Sequence, residues 1–153
     1  MDYKNAPANC ILSMERIFNA PRSLVWQALT QSEHIVNWWG PKGMETRVEL
    51  LDFKVGGHWK FVMKMPNGSD FVGEGTYLEI IPEEKLVTSA RFLPMTDGVV
   101  LIVELEELDQ QTKFTFSVVH PTPEYAKQQF DMGFLNGWGS TFDRLNELME
   151  SYH

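Results

Sequence analysis

Cysteine is almost missing from this chain: Cys10 is the only one in 153 residues. That excludes an intrachain disulfide framework and makes a cytoplasmic setting the expectation. Long apolar runs are missing too. No stretch approaches the ~18–20 residues that a membrane span needs, and Met1-Asp2-Tyr3-Lys4-Asn5-Ala6-Pro7 lacks the apolar core of a secretory signal. Positive charge is scarce, with 13 Lys and Arg against 21 Asp and Glu for a net charge of −8. The basic residues are scattered, so no stripe exists to displace counterions from a phosphate backbone, and nucleic acid is excluded as a partner.

Signatures of catalysis are equally absent. His34, His58, His120 and His153 show no paired metal-ligand spacing, and neither a metal nor any other cofactor is expected. There is no serine elbow, phosphate loop or dinucleotide fingerprint. An enzyme is the less favoured reading. Tyr77 or a cavity-facing Arg91 would then be the group that polarises a substrate carbonyl.

What the chain has is alternation. Trp59, Phe61, Met63 and Met65 fall on one face of a strand, His58, Lys60 and Lys64 on the other. Similar patterns predict strands over Ile11–Phe18, Thr46–Phe53, His58–Met65, Phe71–Ile81, Leu86–Phe92, Val99–Glu106 and Lys113–Val119. Asn67-Gly68-Ser69 formally matches a glycosylation sequon but reads as a hairpin turn. Two short helices follow the first strand, one opened by Pro21 and one capped by Ser32. Each strand has one dry face, the mark of an antiparallel sheet covered on a single side.

The cover is the carboxy-terminal segment from Thr122 to Tyr152, where Phe130, Phe134, Trp138, Phe142, Leu145 and Met149 recur at helical spacing. Thr122 caps it and Pro123 starts it. Some 28 helical residues would reach roughly 40 Å, against about 23 Å for a seven-residue strand, so the helix must cross the sheet obliquely. Gly133, Gly137 and Gly139 interrupt the same stripe. Gly133 and Gly137 share a face, either to let the backbone approach the sheet or to leave room for a guest, and close approach is the preferred reading.

In this order the chain resembles the helix-grip fold of the START-like superfamily. Within it, several signals resemble the family of the activator of the heat-shock protein 90 ATPase. They are Pro21 with Val25-Trp26, Trp38-Trp39-Gly40-Pro41, Asp52 before Val55-Gly56-Gly57, Gly75-Thr76 with Glu79-Ile80, Pro82 to Val87, Thr112, and Gly137-Trp138. The match runs from about residue 10 to 149 and makes the chain one α+β domain over residues 1–153. Relatives of this kind include lipid and sterol carriers, hormone receptors, cyclase-like enzymes and chaperone-associated domains.

The resemblance and the aromatic content together suggest a non-enzymatic domain that binds a small hydrophobic or amphipathic molecule between sheet and helix. Trp38, Trp59, Phe61, Met63, Phe71, Tyr77, Arg91, Phe114, Phe116, Phe130, Phe134 and Trp138 are the candidate cavity lining. Eight methionines suit an adaptable pocket. The alternative is a module that docks on a chaperone or another protein through the outer sheet face or an exposed tryptophan of the Trp38-Trp39 pair. A homodimer is compatible with either.

Overall fold

A computed structural model describes residues 3–93 and 98–152; Met1, Asp2 and His153, which entered the sequence reading, lie outside them. Seven strands form one antiparallel sheet: β1 (Ile11–Phe18), β2 (Glu45–Leu51), β3 (His58–Lys64), β4 (Asp70–Ile81), β5 (Lys85–Leu93), β6 (Val99–Leu108) and β7 (Gln111–Val119). Their order across the sheet is β1-β7-β6-β5-β4-β3-β2, so the chain runs as a meander from β2 to β7 and β1 closes the far edge. Helices α1 (Arg22–Thr30) and α2 (Ser32–Trp38) follow β1, and α3 (Pro123–Asp131) and α4 (Phe134–Glu150) end the chain. This is the helix-grip arrangement.

The alternating residues do what their period requires. Trp59, Phe61 and Met63 are buried on the concave face of β3 while His58 and Lys64 face solvent. Phe114, Phe116 and Val118 of β7, separated from β3 by three strands, are buried in the same core and meet Phe142 and Trp138 of α4, with ring centroids 4.8 Å apart for Phe114–Phe142 and 4.6 Å for Phe116–Trp138. The sheet is not bare on its other side. Val87, Val100 and Val119 form a second small core there, covered by Tyr3 and Ala6 of the amino-terminal segment. Single-sided cover therefore describes most of the sheet but not its β5-β6-β7 end.

The terminal cover departs from the single rod that the periodicity predicts. Thr122 caps α3 by accepting from the Tyr125 amide, and Pro123 is its first residue. The helix then stops at Asp131 and restarts at Phe134. Gly133 stands between with φ of +107°, a left-handed conformation that glycine adopts without steric cost. α4 alone, 17 residues long, carries the core stripe of Phe134, Phe142, Leu145 and Met149. The break turns Phe130 off that stripe and leaves it 50% exposed. At the second short helix, Ser32 is the first helical residue, and Gln31 precedes it as an N-cap without a side-chain bond.

Candidate functional site: an apolar pocket beside the helix break

The break in the terminal cover leaves a pocket. A partly open cavity of about 300 Å³ lies between the α3–α4 junction, the Trp39-Gly40-Pro41 loop and strands β3 to β5. Phe71 and Phe92 form its sheet wall with rings parallel within 3° and centroids 6.3 Å apart. Trp138 meets Phe92 edge-on, with ring planes 71° apart and centroids at 5.6 Å. Met44, Met63, Met65 and Met132 contribute four thioethers, flexible groups that make favourable contacts with ring edges. Among the described residues the lining holds no Asp, Glu, Lys, Arg or His.

Gly133 and Gly137 both line this pocket, and a Cβ built on either meets nothing within 4 Å. Close approach to the sheet, the preferred reading of that pair, is therefore corrected: the missing side chains open space. Close approach occurs elsewhere. On β4 a Cβ at Gly75 would run into the Ser89 carbonyl, and at Gly73 it would press on the Phe92 ring at 3.2 Å.

Below the pocket lies a second, smaller void of about 50 Å³, bounded among others by Trp38, Trp59, Phe61, Tyr77, Phe114 and Phe116. Trp39 and Trp138 border both spaces. The twelve expected lining residues therefore divide. Met63, Phe71, Phe134 and Trp138 stand in the wall of the larger pocket, while Trp38, Trp59, Phe61, Tyr77, Phe114 and Phe116 close around the inner void. Two take no part. Phe130 is exposed on α3, and Arg91 projects from the outer face of β5, where it pairs with Glu74 at 3.0 Å. The period of β5 places Arg91 opposite its buried neighbours Ala90 and Phe92, so it does not face the cavity.

Polar groups near the inner void are mostly committed. Trp59 Nε1 donates to Thr88 Oγ1 at 2.7 Å, and Trp38 Nε1 donates to the Ala28 carbonyl at 2.7 Å. Burial pushes the Tyr77 phenol well above its usual range, so it stays protonated. With Arg91 on the outer face, the two handles considered for carbonyl chemistry do not converge. No group of three or more His, Cys, Asp or Glu that would hold a metal occurs among the described residues.

The Trp38-Trp39-Gly40-Pro41 loop is fixed from below. Arg144 of α4 donates to the carbonyls of Trp39, Gly40 and Pro41 at 3.1, 2.8 and 3.3 Å through Nη1, and to that of Asn37 at 3.2 Å through Nη2. Thr46 Oγ1 adds a bond to the Trp39 carbonyl at 2.7 Å. Both tryptophans are buried, Trp38 at 3% and Trp39 at 9% exposure. An exposed indole as a docking anchor, one of the expected alternatives, is thereby corrected. Trp39 packs edge-on against Trp59, Phe61 and Trp138 with centroids 5.1 to 6.1 Å away. The sequence reading put neither Trp39 nor Phe92 in the lining; the Gly133/Gly137 pair was the signal that space lay here.

Comparison with known proteins agrees with this architecture. A crystal structure from Nitrosomonas europaea is 31% identical, covers 95% of this chain and 97% of its own, and superposes with a TM-score of 0.83. A Mycobacterium smegmatis protein at 21% identity covers 95% and 94% of the two chains with a TM-score of 0.84. An Arthrobacter aurescens solution structure, also 21% identical, covers 94% and 87% with a TM-score of 0.87. These last two show the shared fold alone. No curated protein matches. The model of the family described as Activator of Hsp90 ATPase homolog 1-like protein matches residues 19–150, and the chain belongs to that family.

Proposed function

We propose that this domain binds a small, neutral, largely apolar molecule in the pocket beside the α3–α4 break, without chemical turnover. The observation that carries the reading is the pair Gly133 and Gly137, which keep side chains out of a cavity walled by aromatic rings and thioethers. The size argues for one or two fused rings, since an apolar cavity of ~150 Å³ takes benzene and this one is about 300 Å³. Removing about 200 Å² of apolar ligand surface from water would contribute roughly 5 kcal/mol, a gross gain from which the costs of association and ordering are subtracted. The buried free thiol of Cys10 suits a reducing, cytoplasmic setting.

Native mass spectrometry of freshly purified protein, followed by a melting-temperature series with naphthalene, indole and a long-chain fatty acid, tests the reading. It expects a co-purifying mass or a saturable rise in Tm with the bicyclic compounds, because a ligand that binds only the folded state stabilises it by mass action. Flat melting curves with every compound, and a bare protein mass, would count against it.

A further inference from the structure

Three indoles are buried in this core, and two of them have partners: Trp38 Nε1 donates to Ala28 and Trp59 Nε1 to Thr88, both at 2.7 Å. The third does not. Trp39 Nε1 is buried with no hydrogen-bond partner among the described residues. A buried N–H left unpaired is costly and rare, and such groups concentrate at sites with a functional reason.

Here the orphan belongs to the residue that borders both the pocket and the void beneath it. Gln129 of α3 also brings a half-buried side-chain amide to the pocket lining, while the remaining polar groups close by are engaged. Thr141 Oγ1 donates to the Gly137 carbonyl at 3.2 Å, and the Gly40 and Pro41 carbonyls accept from Arg144. A donor without a partner sets one requirement on a guest, which is an acceptor. The lining adds two more. Lacking charged side chains among the described residues, it cannot neutralise an ionised headgroup, whose desolvation would go uncompensated. Its ring edges and thioethers favour a flat aromatic body.

We propose that the guest is a neutral aromatic molecule carrying a hydrogen-bond acceptor, a ring nitrogen or a carbonyl oxygen, and that the Trp39 indole N–H selects for it. This rests on the pocket-binding reading and specifies it. The nitrogen is covered in the present packing, so the acceptor enters the side-chain layer between pocket and void. Met63 lines the same wall with a flexible thioether side chain, of the kind that repacks around a guest.

Naphthalene and quinoline share shape and size, but only quinoline has an acceptor, so they make a matched pair of probes. Binding is measured by calorimetry on the full chain and on Trp39→Phe, together with the Trp39 indole N–H resonance in two-dimensional NMR of the unmodified protein. The expected result is a downfield shift of that resonance with quinoline well beyond the ring-current shift that naphthalene causes. In Trp39→Phe, the affinity for quinoline relative to naphthalene falls about tenfold, the ratio cancelling what the smaller ring does to the pocket for both probes. If both probes bind but the indole proton ignores quinoline, the selection by Trp39 is overturned and the pocket reading stands. If neither binds, the pocket reading falls and this inference with it. The resonance measurement decides the matter even where the variant does not fold.

Discussion

Arg144 Nη1 lies 2.8 Å from the Gly40 carbonyl oxygen and so ties the middle of α4 to the loop that roofs the pocket. The same guanidinium reaches the carbonyls of Asn37, Trp39 and Pro41, and burial lowers its pKa against the opposing pull of Glu147. Loss of this one side chain would leave several carbonyls without a donor. Arg144→Leu is expected to lower the unfolding free energy by about 2–4 kcal/mol in urea titrations. Arg144→Lys recovers less than half of that, since a compact ammonium cannot reproduce the planar fork.

The helix glycines separate conformation from space. Gly137 lies inside α4 with open room ahead of its Cα, so Gly137→Ala is expected to raise stability by about 0.5–1 kcal/mol through helix propensity. Gly133 has equal room but a left-handed backbone, so Gly133→Ala is expected to lose about 1–2 kcal/mol. Thermal or urea unfolding of the two variants side by side checks the opposite signs.

Gly75 is a different case. Its β4 backbone approaches β5 so closely that an added Cβ would collide with the Ser89 carbonyl and crowd Trp59 Nε1 at 2.9 Å. Neither obstacle is the loose end of a flexible chain. Gly75→Ala is expected to cost about 3 kcal/mol or more, read as loss of the cooperative urea transition or as insoluble expression.

His120 supplies a pH dependence. It is buried at the β7–α3 corner, where burial depresses its pKa, partly offset by hydrogen bonds with the Cys10 and Val118 backbones. A histidine whose folded pKa lies below its unfolded value binds more protons when unfolded. Its contribution is complete above the unfolded pKa of about 6.5 and is lost as pH falls below it. The urea midpoint is therefore expected to drop between pH 7.5 and pH 5, and His120→Gln is expected to flatten part of that drop. An identical slope in the variant would assign the dependence to the carboxylates instead.

Much of this fold is legible in the sequence because its strands are amphipathic with a period of two. The run from His58 to Lys64 names its own buried face, and the boundaries of β1 fall where the apolar pattern begins and ends. Thr122-Pro123 likewise announces a helix start. The break at Gly133 is less legible, since aromatic spacing continues across it and three glycines cost a helix without saying where it yields. The pocket was harder still. Trp59, Phe61, Phe114 and Phe116 carry the alternation of lining residues, yet they largely meet one another around a small void. The Arg144 clamp and the unpaired Trp39 N–H join positions more than a hundred residues apart or depend on a missing partner, and neither leaves a local pattern.

The central claim concerns space beneath Gly137, and blocking that space tests it most directly. Naphthalene is titrated into isotope-labelled wild type and Gly137→Leu, with amide shifts followed by NMR. The account predicts saturable shifts clustered at Trp39, Phe71, Phe92, Gly133 and Trp138 in the wild type, with the affinity weakened at least tenfold in a folded Gly137→Leu. Shifts that fail to saturate, or that persist unchanged once leucine occupies the position, would contradict it.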